Sequence, residues 1–241
     1  MDKSEMANKY TNAHCAVVIL SAGTATRFGD DKVMQDLCGK PVICRTAETF
    51  LSLSIFEECI IVVPESKIES YRTMFKNFFP GNNIFFVPGG ENRAASSRLG
   101  LRAVSSAAKF IAIHDGDRPL VSMRLILSVL NASMQYGAAA PALESADTIK
   151  EVDARDFVIK TIRRDTLRAV QTPQIFRADW IRAASEQSMV NGYAVTDDCS
   201  MVEQLGKRIC LVPGDRDNIK ITVPRDLDLA RIIFSEREAS K

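Results

Sequence analysis

The sequence predicts an α/β fold in which helices cover both faces of a mostly parallel, twisted sheet. Six short, continuous apolar runs alternate with longer amphipathic stretches, and continuous apolar runs are typical of strands buried on both faces. The length of 241 residues suits one large domain or two small ones, and 46% hydrophobic and 25% charged residues are ordinary globular proportions. We therefore expect a three-layer single domain over residues 15–241, after an N-terminal extension at 1–14.

The apolar runs are the predicted strands, and the stretches between them are the predicted helices. The strands are expected at 16–20, 59–63, 84–87, 110–114, 138–143 and 209–212, and the helices around 42–53, 65–78, 92–107, 121–136, 177–191 and 199–205. Three of these helices run into a glycine, a common helix stop, at Gly137, Gly192 and Gly206. A last helix begins near 222 or 223, has Pro224 in its first turn, and buries Leu227, Ala230, Ile233 and Phe234 at helical spacing.

Residues 147–164 depart from this alternation. Two β-prone runs, TIKEV and FVIKTI, are joined by the turn-forming tetrad DARD. This pattern predicts a β-hairpin arm that projects from the main sheet. Two interpretations remain open, an edge hairpin with no special role and a dimerisation arm.

Charge and cysteine content exclude several classes of protein. A net charge of +1 argues against binding of nucleic acid or membrane by bulk charge. The six cysteines contain no C-x-x-C pair and are expected to be reduced thiols. The first fourteen residues are polar, and no apolar run approaches the roughly 18 residues of a membrane span. We therefore expect a cytoplasmic protein.

The segment after the first strand is the richest candidate for a binding site, because ligands of open α/β sheets lie beyond the carboxyl ends of strands. Ala22 and Gly23 let backbone N–H groups approach a phosphate closely, and Arg27 and Lys32 add positive charge. The segment predicts a polyphosphate site; the alternative is a strand-to-helix turn with solvated charges.

Two common nucleotide-binding loops do not fit this segment. A dinucleotide fingerprint that begins at Gly23 needs glycine where Ala25 stands, and a Walker A loop needs glycine where Phe28 stands. NAD binding and P-loop hydrolysis are therefore not supported.

Two later segments, 88–101 and 110–121, also follow predicted strands. Gly90 permits close backbone approach, and Ser96 can hydrogen-bond a ligand from the first turn of the next helix. Asp115 directly follows a strand and is predicted to be an oxygen ligand for Mg²⁺. The alternative is that Asp115 caps the next helix or pairs with Arg118.

A third cluster lies late in the chain, at 163–176 and 214–227. Asp217 precedes the short run 219–222, which contains Lys220. A lysine buried in a strand is costly unless its ammonium meets an anion, which favours a ligand contact over a solvent-facing edge lysine. Thr172 lies in a polar turn beside Pro173 and is predicted to hold an oxyanion.

Together these segments resemble the 2-C-methyl-D-erythritol 4-phosphate cytidylyltransferase family and its relatives that act on ribitol 5-phosphate. The motifs occur in family order, from about residue 15 to about 234, as AVVILSAGTATRFG, GKPV, GGENRAAS, HDGDRP, DTIK, VQTPQIF and DNIKIT with PRDL. The resemblance implies a Rossmann-like nucleotidyltransferase fold and a homodimer joined through a β-arm at about 147–164. It also implies CTP as the nucleotide and Mg²⁺ as the metal.

The resemblance also implies a role for each matched position. Cytosine and ribose are expected at Ala22, Gly23, Gly90, Glu91 and Ser96, and the triphosphate at Arg27. Asp115 falls on the acidic position near the metal. The sugar phosphate is expected at Arg118, Thr148, Arg164, Thr172, Asp217 and Lys220, and Asp217 is the second carboxylate predicted for the metal.

Two departures from the family pattern bear on the site. Val33-Met34-Gln35 stands where many members carry Pro-Lys-Gln, so Met34 replaces the usual triphosphate lysine and Lys32 is predicted to take its role. Asp117 replaces a small residue and adds a negative charge beside an anion site.

The predicted reaction is CMP transfer from CTP to 2-C-methyl-D-erythritol 4-phosphate with release of pyrophosphate, a step of non-mevalonate isoprenoid precursor synthesis. Arg27, Lys32, Arg164 and Lys220 are the predicted catalytic cations. One alternative is an enzyme that uses ribitol 5-phosphate or another polyol phosphate. Another is a non-catalytic nucleotide-binding protein, which would bind CTP without releasing pyrophosphate.

Overall fold

The computed structural model describes residue 10 and residues 13–23, 28, 31–191 and 195–240. The strands are β1 (Cys15–Leu20), β2 (Asp36–Leu37), β3 (Lys40–Pro41), β4 (Phe56–Val63), β5 (Ile84–Pro88), β6 (Phe110–Asp115), β7 (Ala138–Glu144), β8 (Lys150–Val152), β9 (Val158–Thr161), β10 (Arg168–Val170), β11 (Gln174–Arg177) and β12 (Cys210–Pro213). The α-helices are α1 (Val42–Leu51), α2 (Ile68–Phe78), α3 (Arg93–Ala103), α4 (Met123–Tyr136), α5 (Ala178–Asn191), α6 (Asp198–Gln204) and α7 (Pro224–Ala239). The six strands predicted from apolar runs and the predicted helices are confirmed, and Gly137 ends α4 in a left-handed conformation; Gly192 lies outside the described residues.

The central sheet is mostly parallel, as predicted. Its order is β10-β7-β11-β6-β1-β4-β5, with β12 paired to β7. β1 is parallel to both β4 and β6, and β12 is parallel to β7. The strand order reverses at β1, because the chain runs from β1 to β4 and β5 on one side and only later reaches β6 on the other. Such a switch point opens a crevice at the carboxyl ends of the strands.

Two antiparallel strands, β10 and β11, were not predicted. Both pair with β7: Val170 of β10 lies opposite Ala142, and Ile175 of β11 lies opposite Ala139. The chain therefore advances five residues from Val170 to Ile175 over a distance that β7 covers with three. Gln171 N still donates to the Pro141 carbonyl of β7 at 2.7 Å, so the two extra residues lie between Gln171 and Ile175, and such a bulge re-aims side chains. The bulge brings Thr172 next to the end of β6.

Alternating side chains of β1 enter two different cores. Val17 and Ile19 pack with α1, α2 and α4 on one face of the sheet, and Ala16 and Val18 pack with α3, α5 and α6 on the other. A third apolar cluster holds α7 beside β2 through Leu227 and Ala230, with Ile233 and Phe234 partly buried against it. The layers predicted from the apolar runs are therefore present.

The predicted hairpin forms a separate two-stranded sheet of β8 and β9. Every residue of both strands is exposed, and Phe157, Val158 and Ile159 expose 69%, 58% and 60% of their surface. No helix within the described ranges is both long and apolar enough to cross a membrane.

Candidate active site

A cavity of about 410 Å³ lies at the carboxyl ends of β1, β5 and β6, where the strand order reverses. The residues predicted for the site that line it are Ala22, Gly23, Lys32, Gly90, Glu91, Ser96, Asp115 and Lys220. Side chains that are far apart in the chain therefore meet in one crevice. Arg27 lies outside the described residues.

Close backbone packing shapes one wall of the cavity. A Cβ on Gly89 would overlap the Cβ of Ala22, and a Cβ on Gly90 would lie 2.5 Å from the Cβ of Ala95. The Gly90 N–H donates to Ser96 Oγ at 3.1 Å. Glycine at these two positions therefore lets the loop after β5 pack directly against Ala22 and Ala95.

Asp115 is the electrostatic centre of the cavity. Its carboxylate contacts Lys220 Nζ at 3.0 Å, Arg93 Nη2 at 3.2 Å and Arg118 Nε at 3.5 Å. Burial acts to raise the pKa of Asp115, but the three cations outweigh burial and hold it well below its ordinary value. Asp115 therefore stays ionised throughout the physiological pH range.

Arg93 is a site residue that the sequence prediction missed. Its guanidinium bridges Asp115 and Asp198, with Nη1 at 2.7 Å from Asp198 Oδ2, and Ser97 Oγ donates to the same buried carboxylate at 2.5 Å. A signal was present, because Arg93 lies in the first turn of α3, where the helix dipole disfavours a cation. A cation at that position indicates a carboxylate partner.

A buried polar network supports the end of β6. The Asp115 N–H donates to Thr172 Oγ1 at 3.1 Å, and the same hydroxyl lies 3.0 Å from His114 Nδ1. Asn218 Nδ2 donates to the Thr172 carbonyl at 2.8 Å. Burial lowers the pKa of His114 to about 4, so the imidazole is neutral at physiological pH. The network uses neutral hydrogen bonds to hold Asp115 in place.

Lys32 lies in the cavity and Met34 does not. Lys32 Nζ contacts Asp117 Oδ2 at 2.5 Å, and both side chains line the cavity. Met34, two residues later in the same 3₁₀ turn, packs against the apolar core. This placement supports Lys32 as the lysine available to a triphosphate.

The expected strand at 219–222 is wrong. Ile221 N donates to the Asp117 carbonyl at 2.9 Å and Thr222 N to Asp226 Oδ2 at 2.7 Å, so these groups are satisfied by a loop and a helix cap rather than by a strand ladder. Lys220 is consequently not buried in a strand. Its side chain is 38% exposed and points to Asp115, so it does face the cavity.

The other predicted substrate residues do not line the cavity of this chain. Arg118 is partly buried beside Asp115, and its Nη1 donates to the Asn218 carbonyl at 2.8 Å. Arg164 donates to the Ala146 carbonyl at 3.0 Å, at the base of the hairpin. The remaining ones are the exposed Thr148, Thr172 in the buried network, and Asp217, whose carboxylate contacts Arg237 Nη2 at 3.2 Å.

Of the two carboxylates predicted for a divalent cation, only Asp115 faces the cavity. Asp115 places an ionised carboxylate on the cavity wall, and Mg²⁺ bound to a nucleotide needs only one or two carboxylates besides phosphate oxygens. Asp217 is paired with Arg237 instead. Across the described part of the chain, no group of three or more His, Cys, Asp or Glu side chains is arranged to hold a metal by itself.

Comparison with known proteins agrees with this geometry. Residues 15–236 match the family described as 2-C-methyl-D-erythritol 4-phosphate cytidylyltransferase. The protein of that name from Geobacillus thermodenitrificans is 39% identical over 224 residues, 92% of this chain and 97% of the relative. The one from Caldanaerobacter subterraneus is 36% identical over 222 residues, 91% and 98% of the two chains.

Solved structures show the same fold. The 4-diphosphocytidyl-2C-methyl-D-erythritol synthase from Anaerococcus prevotii superposes with a TM-score of 0.83 at 28% identity and covers 93% of this chain and 99% of its own. The 2-C-methyl-D-erythritol 4-phosphate cytidylyltransferase from Thermus thermophilus gives 0.75 at 28% identity over 90% and 98%. With its switch-point cavity and its motifs in order, the chain belongs to the 2-C-methyl-D-erythritol 4-phosphate cytidylyltransferase family.

Proposed function

We propose that this chain transfers CMP from CTP to 2-C-methyl-D-erythritol 4-phosphate and releases pyrophosphate. The observation that carries the proposal is the meeting of Lys32, Lys220 and Arg93 around one cavity whose walls include the close-packed loops after β1 and β5. The identities of the nucleotide and the acceptor are inferred from the family to which the chain belongs. The cavity carries cations and backbone groups of the kind that bind a nucleoside triphosphate.

An oxygen of the acceptor phosphate attacks the α-phosphorus of CTP in line. The new O–P bond forms as the bond to the bridging oxygen of the β-phosphate breaks, and pyrophosphate leaves with that electron pair. A phosphate monoester is already nucleophilic, so positioning and charge neutralisation are the main tasks of the protein. In this proposal Lys32 stabilises charge on the triphosphate, and Lys220, held by Asp115, orients the attacking phosphate.

We also propose that Mg²⁺ accompanies CTP in this site. Asp115 would hold it together with phosphate oxygens, because Asp115 is an ionised carboxylate on the wall. The ion would neutralise phosphate charge. Three cations around Asp115 keep that carboxylate ionised and oriented.

The hairpin arm supports a homodimer. Phe157, Val158 and Ile159 expose a continuous apolar stretch on a hairpin outside the main sheet, and such patches mark protein interfaces. Thr148 and Arg164 flank this hairpin and do not line the cavity of their own chain. We infer that they serve the cavity of a second copy, which a two-fold dimer would supply.

Replacing Arg164 with alanine should raise KM for the sugar phosphate by at least about tenfold, with KM for CTP nearly unchanged, because the lost cation contacts only the acceptor. Steady-state kinetics with each substrate varied in turn measures both constants. Equal loss for both substrates would refute this role.

A mixing experiment tests which subunit Arg164 serves. Homodimers of Lys32→Ala and of Arg164→Ala are each impaired. In a mixed dimer, the cavity of the Arg164→Ala protomer has an intact Lys32 and receives the intact arm of its partner. Random pairing of equal amounts makes about half of the dimers mixed, each with one working cavity of two, and should therefore restore about a quarter of wild-type activity. No recovery in mixtures that form heterodimers would show that Arg164 acts within its own chain.

Pyrophosphate release from CTP and Mg²⁺ tests the reaction itself. A panel of methylerythritol, ribitol and erythritol phosphates as acceptors should give the highest kcat/KM with 2-C-methyl-D-erythritol 4-phosphate. Higher kcat/KM with ribitol 5-phosphate would assign the polyol reaction instead, and CTP binding without pyrophosphate release would indicate a non-catalytic protein. We place this activity in the cytoplasm, because all six cysteines are free thiols.

A further inference from the structure

A largely buried lysine–aspartate pair lies inside the proposed triphosphate site. Lys32 Nζ and Asp117 Oδ2 are 2.5 Å apart, and the two side chains expose only 16% and 10% of their surface. Salt and water screen a pair this enclosed less than a pair on the surface. The contact therefore sets the position of the Lys32 ammonium before a nucleotide binds.

Asp117 is the fixed member of this pair, because its backbone is closely packed. Its carbonyl accepts from Ile221 N at 2.9 Å, and it directly follows Gly116, where a Cβ would lie 2.8 Å from Ile43 Cδ1 and 2.9 Å from the Leu20 carbonyl oxygen. The backbone at 116–117 is thus pressed against β1 and α1. The aspartate stays in place, and the long lysine side chain adapts to it.

Within the described part of the site, the Asp117 carboxylate depends on Lys32 to balance its charge. Asp117 Oδ1 is buried and has no hydrogen-bond partner there. Burying a carboxylate with an unpartnered oxygen costs free energy, which the Lys32 charge offsets. The Lys32 ammonium carries three N–H donors, so it can contact phosphate oxygens while it remains paired with Asp117.

We propose that Asp117 is a positioning residue that holds the Lys32 ammonium for phosphoryl transfer and, by its negative charge, weakens binding of CTP in the ground state. This rests on the proposed function, in which Lys32 serves the triphosphate. An interaction that only tightens substrate binding does not raise kcat, whereas an oriented cation at the developing charge does.

The proposal predicts an unusual pair of effects for Asp117→Asn, which keeps the shape and removes the charge. The dissociation constant for CTP with Mg²⁺, measured by calorimetry without acceptor, should fall about three- to tenfold, because a repulsive carboxylate is gone. The kcat for pyrophosphate release should fall about tenfold, because Lys32 is no longer oriented. A merely structural role would weaken CTP binding or leave it unchanged.

A double-mutant cycle supplies the control. In a Lys32→Ala background, Asp117→Asn should leave kcat unchanged, because the aspartate acts on kcat through the lysine. An equal loss of kcat in both backgrounds, or weaker CTP binding by Asp117→Asn, would overturn the proposal. So would an increase in the Mg²⁺ concentration needed for half-maximal CTP binding, which would assign the carboxylate to the metal.

The same experiments separate this proposal from the proposed function. If the wild type releases no pyrophosphate with any acceptor, the transfer reaction is refuted, and tighter CTP binding by Asp117→Asn in both the wild-type and the Lys32→Ala background still supports the repulsion that we assign to the Asp117 charge. Unchanged CTP affinity in that case would refute it. Thermal unfolding of each variant confirms that the compared proteins are folded, and Asp117→Ala provides a second variant.

Discussion

Replacing Lys32 with alanine should lower kcat for pyrophosphate release by about 10²–10³-fold, the loss typical when one group that stabilises transition-state charge is removed. The ammonium lies in the cavity beside Asp117, and the side chain of Met34, two residues later, packs against the apolar core instead. The other lysine of the cavity, Lys220, is paired with Asp115 and is assigned to the attacking phosphate. The measurement is the steady-state rate with saturating CTP, Mg²⁺ and acceptor.

Lys67→Ala is the matched control for this variant. Lys67 also pairs with an aspartate, Asp31, at 2.6 Å; Asp31 lines the cavity, but the Lys67 side chain is 45% exposed and does not line it. Its removal should leave kcat within about twofold of wild type, because a solvent-exposed ammonium contributes little to an ion pair. A near wild-type kcat for Lys32→Ala would show that another residue carries the triphosphate charge.

Replacing Asp115 with asparagine should both lower the free energy of unfolding by about 3–5 kcal/mol and reduce turnover severely. The variant leaves Arg93, Arg118 and Lys220 crowded together without their shared counter-charge. Lys220 would also lose the partner that orients it toward the acceptor. Chemical denaturation and the pyrophosphate assay measure the two effects separately.

The stability lost in Asp115→Asn depends on pH in a direction that the pKa of Asp115 fixes. Because the pKa of Asp115 is held below its ordinary value of 3.8, its contribution to stability is complete above that pH and is lost as the pH falls through the lower native value. The stability gap between wild type and Asp115→Asn should therefore narrow only in strong acid. A gap that closes near neutral pH would contradict the ionised carboxylate.

Asp165→Asn provides the control for stability. Asp165 pairs with Arg163 at 2.6 Å, but both side chains are largely exposed, so its removal should leave the free energy of unfolding nearly unchanged. An equal loss for both variants would mean that burial among the cations does not matter at Asp115.

The apolar runs predicted the strands because burial on both faces demands uninterrupted apolar side chains. Strands β10 and β11 escaped this signal, because β10 is exposed and the polar segment at 171–173 separates it from β11. At 219–222 the error was the opposite one, because the sequence predicted a strand that the structure does not form. The apolar residues of this segment pack against α7 rather than beside another strand.

What the sequence by itself determined is the order of the elements and the loops that carry the site, since both follow from local periodicity and from the rule that ligands lie at carboxyl ends of strands. The tertiary structure alone decided which charges meet. Asp198 joins Arg93 across 105 residues, and Lys220 joins Asp115 across another 105. Such pairings depend on the distance between folded segments and on the burial that strengthens each contact, neither of which is encoded in local spacing.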